Sequence, residues 1–294
     1  PLSAVCSLYF QGVWSWATML FVFGAIPIME LLAPVTTTNH AEAAETERTD
    51  NAFFDWLLYL NAPILYGIVA WYLWIVAFQN PDTSTWWGLT MATGIVVGTC
   101  GINVAHELGH RRSRGEQNLA KWMLLPALYQ HFFVEHNWGH HKNVATDLDP
   151  ASARKGEILF VFWIKSVVGG WRNAWALESE RLKKAGQSTV SFQNQMLRFS
   201  IYQAGWLLAV YLLTGSAGLL GAIAVAVVGF LLLETVNYLE HYGLRRKKLP
   251  SGHYEPVTQA HSWNSDHEIG RILLYELTRH SDHHFKSTRK YQIL

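Results

Sequence analysis

The sequence predicts an all-α membrane protein: a bundle of six transmembrane helices, the first of them incomplete here, with a histidine-rich catalytic cap on the cytoplasmic side. Three observations predict this fold. Half of the 294 residues are hydrophobic and only 15% are charged, against roughly 25% charged residues in soluble domains. Several apolar runs reach the roughly 20 residues that a helix needs to cross a bilayer. Most of the 14 histidines cluster at helical spacing near or beyond the ends of these runs.

Four apolar runs are long enough to span the membrane, and a fifth is shorter. The short run joins the last one through "TGSAG", a link so tight that the two must form a helical hairpin. Residues 1–10 are predicted to be the end of one further span. We expect one integral-membrane catalytic domain over residues 1–294. The predicted spans are 13–32, 53–78, 86–105, 199–213 and 217–236.

The orientation follows from basic residues, because cytoplasmic loops carry an excess of Lys and Arg. Arginines follow the run 86–105, and "RRKK" follows the run 217–236. Both ends are therefore predicted to be cytoplasmic, and the two crossings of the hairpin between them agree with that parity. The cytoplasmic catalytic parts are then 106–198 and 237–294. Within the first of them, the amphipathic stretches 119–133 and 158–168 are predicted to lie at the membrane interface.

Charge and cysteine content exclude several classes of protein. The net charge of +1 argues against a nucleic-acid-binding protein, which would need a basic face. Cys6 and Cys100 both lie in apolar surroundings and form no close-spaced pair, so neither a disulfide framework nor a thiolate metal site is predicted. Any metal site must therefore be built from histidine.

Four histidine motifs lie on the predicted cytoplasmic side. Residues three or four apart share one face of a helix, so each cluster can point at least two imidazoles into a common space. Nine nitrogens are too many for one ion, since a catalytic zinc site typically uses three protein ligands; two ions fit the count. Imidazole suits iron, copper and zinc alike, so ligand type alone leaves the metal open. The candidate ligands are His106 and His110 in "HELGH", His136, His140 and His141 in "HNWGHH", His241 in "NYLEHYGL", and His280, His283 and His284 in "RHSDHH".

Neutral imidazoles leave the charge of a metal uncompensated, and metal-bound histidines usually donate their second ring N–H to a carboxylate or carbonyl. Four acidic residues adjacent to a candidate ligand are predicted to serve in this way, with an ordinary surface charge as the alternative: Glu107, Glu135, Glu240 and Asp282. Five further histidines lack ligand spacing and are predicted to lie at the surface, in packing or in support of the ligands: His40, His131, His253, His261 and His267.

At this point the motifs can be compared with a known family. The boxes HxxxH, HxxxHH and HxxHH resemble those of the membrane di-iron desaturases and hydroxylases. More narrowly, "HELGH", "EHNWGHH", "NYLEHYG" and "RHSDHH" resemble the four motifs of the integral-membrane alkane 1-monooxygenases. The stretches "VATDLDPASAR" and "HSWNSDH" are similar to that family as well. The likeness covers the chain from about residue 13 to its end.

The resemblance implies a non-haem di-iron enzyme with six spanning helices in a bacterial inner membrane, its active site on the cytoplasmic side. Such an enzyme would use O2 and two electrons to hydroxylate the terminal carbon of a medium- to long-chain n-alkane. The electrons would come from rubredoxin, itself reduced by a rubredoxin reductase. Carried over motif by motif, the nine histidines would hold two iron ions.

Two features bear on substrate and partner. Position 138 is Trp where the family commonly has Arg, and this departure makes Trp138 a candidate for the substrate mouth. Basic residues could attract an acidic rubredoxin, although they could equally be topology signals alone. The candidates for this docking surface are Arg111, Arg112, Arg245, Arg246, Lys247 and Lys248.

Alternative functions remain open from the sequence. The nearest are a fatty-acyl desaturase and a xylene-type methyl hydroxylase of the same superfamily. A zinc intramembrane protease would use "HELGH" with Glu107 as the base. A metal transporter is the non-enzymatic alternative, but it would place ionisable residues inside the spans rather than at their cytoplasmic ends.

Overall fold

The computed structural model describes residues 1–37 and 42–294, and in this part of the chain the regular secondary structure is helical, joined by turns and irregular segments. Over these residues no strand forms; there are two isolated bridges, Val35 with His267 and Lys248 with Tyr254. His40 lies outside the described residues. The all-α membrane fold predicted from the sequence is confirmed.

Twelve helices, numbered here in chain order, make up the described part of the fold. They are α1 (Leu2–Phe10), α2 (Gly12–Leu32), α3 (Glu42–Asp50), α4 (Ala52–Phe78), α5 (Thr83–Gly109), α6 (Arg114–Met123), α7 (131–143), α8 (Leu159–Lys184), α9 (195–214), α10 (216–241), α11 (Glu268–Leu273) and α12 (His280–Phe285).

The predicted spans coincide with helices that are long and apolar enough to cross a membrane: α2, α4, α5 and the stretch Gln195–His241, which contains α9 and α10. Two of these helices begin earlier than the apolar runs because a polar residue caps them. Asp82 accepts the backbone N–H groups of Ser84 and Thr85 at the start of α5, and Asn194 caps the start of α9. Such caps satisfy amide groups that have no partner inside the helix.

The hairpin predicted at "TGSAG" turns at Gly215, whose φ of 68° and ψ of −164° break the helix. Ring contacts show that the chain reverses there. Tyr202 stacks on Trp122, while Phe230 stacks on Tyr129 only seven residues further along the chain. In one straight helix, residues 202 and 230 would be about 42 Å apart. Thus α9 and α10 are the two arms of a helical hairpin.

Helix α5 lies at the centre of the bundle and packs closely on α10. A Cβ atom on Gly94 of α5 would lie 2.4 Å from Val228, and one on Gly229 of α10 would lie 2.7 Å from Val97. Small residues at such crossings let two helix backbones approach each other in a membrane. Because α5 carries His106 and α10 carries His241, this contact fixes the relative position of two histidine motifs.

The cap between the spans consists of α6, α7 and α8. The stretch 119–133 is interrupted, as Pro126 suggests, by turns between α6 and α7. The stretch 158–168 leads into the 26-residue helix α8, and its predicted place at the membrane interface stays a prediction. The following residues, as far as Lys184, include many Ala, Leu, Glu, Arg and Lys, which favour helix continuation.

Candidate metal centre

All nine predicted ligands come together, and they form two separate groups. Within each group, one ligand nitrogen from every member lies within 4.8 Å of the others. The first group consists of His106, His110, His136, His141 and His283, and the second of His140, His241, His280 and His284. The groups sit where α5 and α10 end, and α7 and α12 supply histidines to both.

The spacing of the nitrogens fits metal coordination. In the first group, Nε2 of His136 lies 3.1 Å from Nε2 of His110 and 2.9 Å from Nε2 of His141. In the second, Nε2 of His280 lies 3.1 Å from that of His241 and 2.9 Å from that of His284. Two donors at right angles, each about 2.1 Å from one ion, would be about 3.0 Å apart. These separations therefore correspond to neighbouring ligands of a single ion.

Burial keeps the imidazoles in the state that binds metal. Burial, followed by the nearby His140, lowers the pKa of His110 to about 3, and burial likewise lowers the pKa of His136 and of His283. They are therefore neutral near pH 7, and a neutral imidazole offers a lone pair to a cation. Nε2 of His106 is buried without a hydrogen-bond partner, as expected of a nitrogen positioned to bind a metal.

A π-helical turn over His136–His140 explains how the second motif is divided. Such a turn bonds residue i to residue i+5 and is frequent at functional sites. It brings His136 and His141 into the first group and turns His140 towards the second. The sequence predicted that this motif could point at least two imidazoles into a common space, and His136 and His141 are the two that share a group. Gly139 lets this turn pack closely on its neighbours, because a Cβ there would lie 2.7 Å from the side chain of Asn173 and 2.8 Å from that of Glu135.

Asp149 lies at the candidate site, and the sequence reasoning missed it. Its Oδ2 atom lies 2.9 Å from Nδ1 of His140, and both side chains are buried. Although burial opposes charge, the Asp149 carboxylate raises the pKa of His140, and His140 in turn lowers the pKa of Asp149. Ser152 and the backbone N–H of Ala151 also donate to the carboxylate. This hydrogen bond leaves Nε2 of His140 free to face the second group.

Two of the four predicted carboxylates bind elsewhere. Glu107 pairs with Arg111 at 2.8 Å and accepts the backbone N–H of Tyr291, so it ties α5 to the last residues of the chain. The protease alternative required Glu107 as a base at the metal, and this ion pair argues against it. Asp282 accepts from Gln259 and pairs with Arg279 at 3.2 Å, which anchors the start of α12.

The other two predicted carboxylates lie at the site. Glu240 approaches His280, with its Oε2 atom 3.3 Å from Nε2. Glu135 accepts from Asn173 at 3.1 Å and lines a small closed cavity with His136 and His140. Burial, followed by the nearby charge of Asp149, raises the pKa of Glu135 to about 8. The same cavity holds Glu234, which accepts from Tyr129 at 2.7 Å.

The candidate residues for substrate and partner occupy varied positions. Trp138 is 49% exposed and packs edge-on against Phe133, so its predicted role at a substrate mouth stays a prediction. Arg111 is buried and pairs with Asp55 at 2.9 Å as well as with Glu107. Its charge is thus compensated inside the protein, and its assignment to a docking surface is wrong.

The remaining basic candidates differ in their exposure. Arg246 is held by the backbone carbonyls of Glu255 and Lys142. Arg112, Lys247 and Lys248 are exposed, and Arg245 is partly exposed beside an open cavity. These positions leave the docking surface a prediction for all but Arg111.

Comparison with known proteins agrees with this site. The fatty acid desaturase family model matches residues 84–294. The chain is 34% identical over 299 residues to alkane 1-monooxygenase 1 of Alcanivorax borkumensis, covering 100% of this chain and 74% of the relative. It is 37% identical over 298 residues to alkane 1-monooxygenase 2 of Pseudomonas aeruginosa, covering 100% and 79%. The hydroxylase component of a xylene/toluene monooxygenase from Pseudomonas putida is 26% identical over 300 residues, covering 100% and 78%.

The match with the alkane 1-monooxygenases extends over the spans as well as the histidine motifs, and it is stronger than the match with the xylene/toluene enzyme. The structure combines helices long and apolar enough to cross a membrane with two histidine groups that could hold metal. The chain therefore belongs to the fatty acid desaturase family and, within it, to the alkane 1-monooxygenases.

Proposed function

We propose that this chain hydroxylates the terminal carbon of medium- to long-chain n-alkanes at two iron ions, one in each histidine group, on the cytoplasmic side of a bacterial inner membrane. The observation that carries this proposal is the convergence of nine imidazoles, seven buried and two partly buried, in two groups at the ends of α5 and α10. The reaction would be RCH3 + O2 + 2 e⁻ + 2 H⁺ → RCH2OH + H2O. Iron would supply the binding and reduction of O2.

The protein would contribute position and exclusion of water. All nine histidines are largely withdrawn from solvent, and the spans that carry them continue into lipid. An alkane has no polar group to recognise, so its binding must come from apolar burial, worth about 0.8 kcal/mol per CH2. Eight carbons would contribute roughly 6 kcal/mol before ordering costs. A single catalytic domain over 1–294 is part of this proposal, and it is supported by the way both groups draw histidines from each cytoplasmic part.

We place the docking surface for rubredoxin at an open cavity of about 540 Å³ beside the second group. Its wall includes Asp149, which is hydrogen-bonded to His140, so the route from this surface to a metal ligand is short. Four basic residues line the cavity against two acidic ones. Arg154 pairs with Asp147 and Lys165 pairs with Glu157, so the attraction of an acidic electron donor would rest mainly on Arg172 and Arg245. The basic residues are Arg154, Lys165, Arg172 and Arg245.

The test combines metal analysis with product analysis. Purified protein should hold two irons per chain and, with rubredoxin and its reductase, should convert n-alkanes of graded length to 1-alkanols. One zinc per chain, desaturated acyl products, or oxidation of xylene methyl groups alone would contradict the proposal. Replacing His241 by Ala should abolish hydroxylation without preventing membrane insertion, whereas His253→Ala, at an exposed histidine, should retain activity.

A further inference from the structure

Two adjoining cavities with basic linings lie between α6, α8 and α9. The larger measures about 950 Å³ and the smaller about 240 Å³. Among the described residues that line them there is no Asp or Glu, and none of the nine proposed metal ligands. Arg114 and Arg181 line the larger cavity alone. Both cavities are lined by Asn118, Lys121, Gln195 and Arg198.

The positive charges in these cavities are unequally compensated. Arg181 donates to Glu178 through Nε at 2.8 Å and through a second guanidinium nitrogen at 2.7 Å. In the described part of the chain, neither Lys121 nor Arg198 forms an ion pair with a carboxylate. Nζ of Lys121 instead lies 4.4 Å from the centre of the Phe133 ring. Nε of Arg198 is buried and has no hydrogen-bond partner.

Lys121 and Arg198 are close enough for their charges to interact. Burial lowers the pKa of Lys121, and the positive charge of Arg198 lowers it further, against a smaller opposite effect of Glu178. An anion between the two cations would relieve this repulsion and give Nε of Arg198 an acceptor. Phosphate suits such a pair, because a guanidinium binds it through parallel hydrogen bonds and an ammonium as a point charge.

The smaller cavity lies where the predicted span of α9 begins. Arg198 directly precedes the apolar run 199–213. Trp122 and Tyr202 line the same cavity and stack on each other, with ring centroids 5.4 Å apart. Tryptophan and tyrosine are enriched at membrane–water interfaces, and basic pockets beside spans bind anionic lipid head groups. The position therefore favours a ligand that comes from the membrane.

A largely apolar cavity of about 360 Å³ adjoins the smaller basic cavity, because Phe199 lines both. Helix α8 contributes Val167, Val168 and Trp171 to its wall. Val168 is 50% exposed and Trp171 is 48% exposed, so a hydrocarbon chain could cover apolar surface there. A ligand with a phosphate at one end and a hydrocarbon chain at the other fits this succession of surfaces.

We propose that Lys121 and Arg198 bind the phosphate of an anionic phospholipid, whose acyl chain lies along the apolar cavity between α8 and α9. Arg114 adds positive charge on the side of the head group. The lipid would join the cap to the helical hairpin, because the three cavities together connect α6 and α8 with α9. An acidic protein could also be attracted to the charges, but the apolar surface beyond Phe199 favours a lipid. This proposal does not depend on the iron chemistry.

The test measures lipid binding to the full-length protein in detergent by native mass spectrometry. We expect the parent to bind dioleoyl-phosphatidylglycerol at least tenfold more tightly than dioleoyl-phosphatidylcholine, since only the first carries a net negative charge. The double variant Lys121→Gln/Arg198→Gln should lose this preference. The control Lys155→Gln/Lys183→Gln removes two positive charges at exposed positions outside these cavities and should keep it.

A second variant tests the acyl chain. Val168→Trp should obstruct the apolar cavity and weaken the binding of dioleoyl-phosphatidylglycerol at least threefold, while the binding of dihexanoyl-phosphatidylglycerol stays unchanged. Unchanged binding of both lipids would overturn the assignment of the apolar cavity to the acyl chain. This variant keeps both basic residues, so it tests the proposal even if the double variant fails to fold.

Three further results would overturn the proposal. The first is equal binding of phosphatidylglycerol by the parent and by the folded double variant. The second is an equal rise in the thermal midpoint of the parent with inorganic phosphate and with phosphatidylglycerol, which would indicate a site for free phosphate. The third is a double variant with a raised KM for rubredoxin and undiminished lipid binding, which would assign the basic surface to the electron donor.

Discussion

Nδ1 of His140 lies 2.9 Å from Oδ2 of Asp149, and this contact joins a proposed metal ligand to the wall of an open surface cavity. It fixes which ring nitrogen of His140 carries the proton. It also makes the imidazole a stronger donor to a metal, because the neighbouring carboxylate favours positive charge on the ring.

Replacing Asp149 by Asn should therefore weaken metal binding without removing a ligand. We expect a loss of about 10- to 100-fold in iron affinity, measured by competition with a chelator. Asp147→Asn is the control, since Asp147 is an exposed residue in the same loop that pairs with Arg154 at 3.3 Å. Equal affinities in the two variants would show that the hydrogen bond does not tune the site.

Charge reversal at Arg245 should impair the use of the electron donor. We expect Arg245→Glu to raise the KM for rubredoxin about five- to tenfold at low salt, since charges at such surfaces mainly affect the encounter rate. The effect should shrink at high ionic strength, where exposed charges are screened. Lys183→Glu makes a comparable change of charge at an exposed position outside this cavity and should have a smaller effect. A KM that does not change with Arg245→Glu would place docking elsewhere.

Acid should destabilise the protein partly through His131. Burial lowers its pKa to about 4, whereas an unfolded histidine titrates near 6.5. Between these values the unfolded chain binds a proton that the folded chain does not, so stability falls as the pH drops below 6.5. At pH 5 this amounts to about 2 kcal/mol. The melting temperature of His131→Gln should thus fall less between pH 7 and pH 5 than that of the parent, and a parallel fall would contradict the assignment.

The turn between α9 and α10 should not tolerate a side chain. At a φ of 68° and a ψ of −164°, Gly215 occupies a region that is almost confined to glycine. We expect Gly215→Ala to lower the free energy of unfolding by about 1–3 kcal/mol, measured by denaturation in detergent. Gly205→Ala tests the same change within α9, where an added Cβ has open space, and should be neutral or mildly stabilising. Equal effects would mean that the turn is not strained by a Cβ.

Much of this architecture follows from local sequence. The spans are runs of apolar residues whose length alone predicts them. Eight of the nine proposed ligands lie in three motifs of no more than six residues each, and His241 is the exception. Asp149 could not be found in this way, because it reaches His140 through an irregular loop and no periodicity relates the two. The segment "ATDLDPA" around it was the available signal. The burial of Arg111 was equally hidden, because its partner Asp55 is 56 residues away in the chain.

The spacing of His136, His140 and His141 could not predict how these three histidines are divided between the two groups. An ordinary helix pairs His136 with His140, whereas one extra residue in the turn pairs His136 with His141. Spacing on a regular helix therefore predicts that these histidines bind metal, but not which of them bind the same ion.

Two pairs of consecutive residues contribute one imidazole to each group: His140 with His141, and His283 with His284. Neighbouring residues move together, since they share a peptide unit. Removing one ion would release a residue whose backbone holds a ligand of the other. The two proposed ions should therefore bind and dissociate cooperatively. Preparations with too little iron should be mixtures of molecules with two ions and molecules with none, rather than chains that hold a single ion.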